Sequence, residues 1–101
     1  MAFGVNRKEL QQWKESIVNG EIAFLTHYWI DDRFPDCNTV TKVGARSIEE
    51  LEKWGKKYGL KSYMIDRHPE FPHYDLFGDW QLKILRAEGK TEQIKRFRLG
   101  E

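Results

Sequence analysis

Residues 21–44, EIAFLTHYWIDDRFPDCNTVTKVG, decide the fold of this chain. The first ten, 21–30, carry the β-branched and aromatic composition of a strand. Alternation sorts Ile22, Phe24, Thr26, Tyr28 and Ile30 onto one face and Ala23, Leu25, His27 and Trp29 onto the other. Both faces begin apolar, which predicts a central strand covered on both sides, with polar groups entering at its end. DDRFPDCN then packs three Asp, one Pro and one Asn into eight residues, the chemistry of a turn. A second strand follows over 39–43, and so short a connection makes the pair an antiparallel hairpin.

Helices flank the hairpin. Upstream, Asn6 and Glu9 have capping-box spacing, Leu10, Trp13 and Ile17 recur at helical period, and Gly20 suits a left-handed stop. A helix over 7–18 results. Downstream, Ser47 with Glu50 is a full capping box; Ile48, Leu51, Trp54, Gly55 and Tyr58 form the buried stripe of a helix over 48–58, ended by Gly59. Gly55 inside it leaves room for close approach of another element, at some cost in helix propensity. Residues 60–65 read equally as a short strand or a helical turn. Pro69 and Pro72 forbid regular structure around them, and His73-Tyr74-Asp75-Leu76 is a brief extended piece. A third helix starts near Asp79, uses Trp80, Leu82, Ile84 and Leu85 and stops at Gly89; a last short one carries Ile94 and Phe97. The expected architecture is one α+β domain over 1–101: a mixed sheet of two or three strands packed against two main helices, with the C-terminal helices closing one side. Trp13, Ile17, Phe24, Leu51, Trp54, Tyr58, Leu82 and Leu85 are its expected core.

Composition bounds the function. Of 101 residues, 40% are hydrophobic and 33% charged, as in ordinary folded domains. The formal charge of +1 gives no overall basic excess to argue for nucleic acid. Lys83, Arg86, Lys90, Lys95, Arg96 and Arg98 crowd the C-terminal part, as on a solvated helix face. The lone Cys37 makes no internal disulfide, the N-terminus reaches charge within seven residues, and no apolar run approaches the ~20 residues of a membrane span. The cytoplasm is the expected compartment, with no membrane contact. No Walker A, G-x-G-x-x-G, CxxC, HExxH or GxSxG motif occurs.

The candidate site residues are His27, Asp31, Asp32, His73 and Asp75. His27 and Asp31 share strand parity, as do His73 and Asp75. Lying side by side, the two segments would bring two imidazoles and two or three carboxylates to one end of the sheet. That set suits a divalent metal held by His27, Asp31, His73 and Asp75, or His–Asp acid–base work with His27, His73 and Asp75 as catalytic candidates. The alternative is a hydrogen-bonding staple that ties the loop to the sheet, and the spacing matches no standard metal signature. No cofactor is otherwise evident. For ligand or partner binding the candidates are Trp29, Asp31, Asp32, Arg33 and Tyr74: Trp29 to stack on a ligand, Arg33 to offer a planar fork of donors. Equally, Trp29 belongs to a core, and Arg33 pairs with Asp31 or Asp36 at the surface. Cys37 reads as an inert thiol or, beside His27, as a nucleophile.

FLTHYWIDDRFPDCNTVTKVG (24–44), SIEELEKWGKKYGL (47–60), PHYDLFG (72–78) and IKRFRLG (94–100) together resemble a group of small uncharacterised proteins of Bacillus-type bacteria, the YneQ-like group. The resemblance spans nearly the whole chain and implies a stand-alone cytosolic bacterial domain with no assigned reaction. More loosely, S-x-E-E-L, G-L and H-Y-D-L look like a bacterial and phage domain of unknown function, which departs from this chain after Gly89; that likeness draws attention to His73, Tyr74 and Asp75. Two functions are therefore expected in parallel. The first is a non-enzymatic binding or regulatory module meeting a protein through residues 31–37 and the His-Tyr-Asp segment. The second is a small metal-dependent or His/Asp-assisted hydrolase or nucleic-acid-processing enzyme.

Overall fold

A computed structural model describes residues 4–100. Helix α1 (Arg7–Val18) leads into the hairpin β1 (Ala23–Tyr28) and β2 (Thr39–Gly44). Helix α2 (Ile48–Gly55) follows, then 3₁₀ turns at Lys56–Tyr58 and Ser62–Met64, the two-residue strand β3 (Ile65–Asp66), and β4 (His73–Leu76). Helices α3 (Asp79–Ala87) and α4 (Thr91–Arg96) complete the chain. The caps act as their spacing predicts: the Asn6 side chain accepts from Glu9 N at 2.8 Å, and Ser47 Oγ accepts from Glu50 N at 3.2 Å. Gly59, at φ 75°, ends the second helical segment in the left-handed region, where glycine carries no steric cost.

The sheet has four strands in the order β1-β2-β4-β3, and every pairing is antiparallel. This corrects the expected two- to three-stranded mixed sheet. Residues 60–65 satisfy both local readings in turn, a 3₁₀ turn and then a strand, because Ile65 and Asp66 find Tyr74 and His73 as partners on β4. β2 lies between β1 and β4, so β1, which carries His27, and the His-Tyr-Asp strand are not neighbours.

Each face of the sheet has its own cover. Val43, Tyr74, Leu76 and Ile65 meet Leu51, Trp54, Leu60 and Ile84 on one side, forming the larger core. There Gly55 lets α2 lie against β4: a Cβ at that position would sit 3.0 Å from Tyr74 Cζ and 3.2 Å from Leu60 Cβ. On the opposite side Trp13 and Ile17 of α1 pack with Ala23 and Leu25, and the Trp13 indole donates to the Ala23 carbonyl at 3.1 Å. Gly44 permits this contact, since a Cβ there would stand 2.6 Å from both Ile17 Cδ1 and Trp13 Cζ2. Of the expected core, Trp13, Ile17, Leu51, Trp54 and Leu85 are buried, while Phe24, Tyr58 and Leu82 are half-buried.

The end of the larger core is polar and fully paired. Gln81 of α3 donates to Thr41 Oγ1 at 3.0 Å and accepts from Thr39 at 3.1 Å. The Thr26 and Thr41 hydroxyls meet at 2.7 Å, and Thr26 donates to Gln93 of α4 at 2.6 Å. Buried hydroxyls and amides are costly unless partnered, so this chain fixes α3 and α4 in register over β1 and β2.

Candidate functional site

Helix α1 covers only one end of its face of the sheet. Beyond it the outward residues of four strands, His27, Val40, Lys42, Asp75, His73 and Asp66, line an open cleft of about 480 Å³. One period-2 rule places them together: His27 pairs with Val40, Lys42 with Asp75, and His73 with Asp66. The β1–β2 loop and the end of β4 raise one wall, made of Trp29, Phe34 and Phe77. Ring centroids are 6.0 Å apart for Trp29 and Phe34, 5.4 Å for Trp29 and Phe77, and 4.7 Å for Phe34 and Phe77.

At the α1 end, His73 stands between two carboxylates. Its Nε2 lies 3.6 Å from Asp66 Oδ2 and 3.6 Å from Asp75 Oδ1. Its Nδ1 is 2.9 Å from the Phe71 carbonyl oxygen, so Nδ1–H donates there and Nε2 faces the acids. The ring is buried and held edge-on by Trp13 at 6.0 Å, whereas both carboxylates reach solvent. Burial pushes the Asp75 carboxyl above its ordinary range; His73 and Lys42 draw it back, Asp66 adds to the rise and His27 opposes it.

His27 floors the other end. Its side chain is buried, its Nδ1 is 2.8 Å from the Tyr28 carbonyl oxygen, and its Nε2 has no hydrogen-bond partner among the described residues. With Nδ1 donating, Nε2 is an unmet acceptor. Burial lowers the pKa of this imidazole below its usual value; the Tyr28 carbonyl and Asp75 pull it up, and Lys42 pushes it further down.

The antiparallel register decides which candidates meet. His73 is level with Gly44 and hence with Ala23, while His27 stands four residues further along β1. At ~3.4 Å per residue that is about 14 Å along the strand, with β2 intervening. The two imidazoles share the cleft without converging. The metal-ligating geometry joins His73 and Asp75 to Asp66, not to His27 and Asp31. Asp31 lies at the cleft rim and clamps Arg33, accepting from its backbone N at 2.9 Å, Nε at 3.0 Å and Nη2 at 2.6 Å. The guanidinium, first through its hydrogen bond, brings the Asp31 carboxyl to about 2. Arg33 therefore spends its fork on its own loop.

Asp32 is exposed and lines a separate depression with Ile30 and Pro35. Tyr74 lies on the opposite face, its ring in the larger core and its hydroxyl donating to the Leu51 carbonyl at 3.4 Å, so it does not line the cleft. Alternation explains it, for Tyr74 lies between the two cleft residues of β4. Cys37, half-buried, lines another depression with Gly78 and Gln81, away from His27. Two contributors escaped the sequence reading. Phe77 continues the parity of His73 and Asp75 and was legible in principle. Asp66 was not, because its place depends on a two-residue strand.

Fold and site define a small antiparallel α+β domain with helices on both faces and one open, aromatic-walled cleft carrying an Asp-His-Asp cluster. The chain belongs to the YneQ family of bacterial proteins. It is 54% identical over 99 residues to the uncharacterized protein YneQ of Bacillus subtilis, covering 98% of this chain and 100% of that one. No family model matches, so the looser likeness to a bacterial and phage domain gains no support. No solved structure matches either. Among the described residues, no helix is long and apolar enough to cross a membrane.

Proposed function

We propose that this protein is a non-enzymatic binding module that meets a protein partner through its β1–β2 loop and the aromatic wall of the cleft. The observation that carries the reading is an apolar surface on an ordered loop. Ile30 is 72% exposed and Phe34 36% exposed, the latter stacked on Trp29 with the tilted ring of Phe77 beside both. Aromatic side chains ringed by polar groups are the composition of interface cores, and large exposed apolar patches mark contact sites. The loop needs little ordering on contact. Asp31 clamps Arg33, Phe34 N donates to the Asp31 carbonyl at 3.0 Å, and Cys37 N donates to the Phe34 carbonyl at 3.0 Å. Preorganisation of that kind lowers the entropic cost of association. The cytoplasm is the compartment assigned with this reading, on the ground that Cys37 is a free thiol.

The test is site-specific photocrosslinking in the native cells, with a photoreactive phenylalanine analogue at position 30 and, as control, at position 63. Tyr63 is 84% exposed and lies outside the cleft. A discrete crosslinked protein from position 30, absent from position 63 and lost in a Phe34→Asp variant, is the expected result. Equal crosslinking from both positions, or none from position 30, overturns the proposal.

A further inference from the structure

We infer that Asp66, His73 and Asp75 form a binding site for one divalent transition-metal ion, with coordination positions left open toward the cleft. Donor geometry is the first ground. One atom from each side chain lies within 4.8 Å of the others, and Nε2 is 3.6 Å from each carboxylate. Ligand atoms around a tetrahedral ion with bonds of about 2.0–2.1 Å stand roughly 3.3 Å apart, so each N···O separation closes by a few tenths of an ångström, and the two carboxylate oxygens, within 4.8 Å of each other, draw together by rotation of exposed side chains. As hydrogen bonds the same contacts are too long, since N–H···O pairs fall near 2.7–3.2 Å. The arrangement is open as an ion pair and close to closed as a metal site.

The second ground is the way His73 is held. Metal-ligating imidazoles commonly donate their other N–H to a backbone carbonyl or carboxylate, which fixes the tautomer and aims the lone pair. His73 does so through Nδ1 to Phe71 O at 2.9 Å, and its buried ring is fixed against Trp13. The three donors project from one face of adjacent antiparallel strands, β3 and β4, so the backbone itself sets their spacing.

A third, independent feature points to a ligand in this cleft. His27, only 3% exposed, lines the same cleft, and its buried Nε2 is an acceptor without a partner among the described residues. A ligand that extends from the ion across the cleft toward β1 would supply the missing donor from an N–H or O–H. Charge agrees: Asp66 and Asp75 bring two carboxylates to the His73 ring, with Lys42 opposite Asp75 as the neighbouring cation. One imidazole with two carboxylates suits manganese, iron(II) or zinc.

The test uses the full chain, purified without a histidine tag, stripped with chelator and titrated calorimetrically with MnCl₂ and with ZnCl₂ at neutral pH. One ion per chain is expected for at least one metal, with affinity about tenfold or more weaker in Asp66→Asn and in Asp75→Asn, and unchanged in Asp32→Asn. Both Asn substitutions fall on exposed side chains, so circular dichroism should report an intact fold even if His73→Ala fails to fold. No binding of either ion at millimolar concentration overturns the site. So does binding that Asp66→Asn and Asp75→Asn leave unchanged, or that Asp32→Asn weakens equally.

Discussion

The carboxylate of Glu88 accepts the indole N–H of Trp54 at 3.2 Å, tying the end of α3 to the end of α2. The Tyr58 hydroxyl donates to the same carboxylate, and Lys57 Nζ approaches it at 3.5 Å. An acidic side chain at a helix C-terminus opposes the helix dipole, so these donors are what suit Glu88 to its place. Burial pushes its carboxyl up, but the hydrogen bonds from Tyr58 and Trp54 and the Lys57 charge outweigh it, leaving the group below its ordinary 4.5. Glu88→Ala should cost about 1–3 kcal/mol by urea denaturation, since two ring donors lose their acceptor. The sign with pH follows from the depressed value: this stabilisation is present above about pH 4.5 and lost as pH falls through the lower folded value. Wild type should therefore lose more stability than Glu88→Gln on acidification from that point.

Tyr58 gives the complementary readout. Burial, then the bond to Glu88 and its charge, push its hydroxyl up to about 12. Ultraviolet titration of the phenolates should show a late component from Tyr58 that shifts down in Glu88→Gln, beside that of Tyr74, which burial also raises and the substitution leaves in place. The stabilisation holds below the ordinary value of 10.0 and is lost as pH rises through about 12. A wild-type titration with no late component would contradict the contact.

Gly55, the last residue of α2 before the 3₁₀ turn, is a helical glycine whose presence the packing demands. Glycine to alanine ordinarily favours a helix by roughly 1 kcal/mol. Here the new methyl would overlap the Tyr74 hydroxyl and press on Leu60 Cβ at 3.2 Å. Gly55→Ala should therefore destabilise, by about 1–3 kcal/mol as an overpacked contact. A thermal melt raised rather than lowered would show that α2 yields there without cost.

Much of this architecture is legible locally. Both well-capped helices begin at their capping residues, and alternation assigns His73 and Asp75 to one face. What the sequence conceals is register between distant segments. Nothing in the order of residues says that β2 separates His27 from His73, or that Asp66 is carried beside His73 by a strand of two residues. The Thr41–Gln81 bond is hidden for the same reason: a threonine in a strand and a glutamine in a helix announce no partnership until both are docked. Tyr74 shows the opposite failure, because it was grouped with its sequence neighbours although parity sends it into the core.

His27 links burial to acid sensitivity. Its imidazole titrates below the ordinary 6.5, first because burial disfavours the charged ring and also because Lys42 is near; Asp75 and the Tyr28 carbonyl only partly compensate. The unfolded chain takes up this proton as pH falls through about 6.5, while the folded chain resists until a lower pH. Stability from this group is thus complete above 6.5 and declines as pH drops toward the folded value. His27→Leu removes the titration and the unmet Nε2 acceptor together. Denaturant midpoints measured from pH 7.5 to 5 should show wild type losing stability relative to His27→Leu below about 6.5. Nitrogen-resolved NMR of the imidazole should find the ring neutral and protonated at Nδ1 near neutral pH. Parallel pH profiles for the two proteins would mean that the ring has access to water or a donor, and that the floor of the cleft is wet.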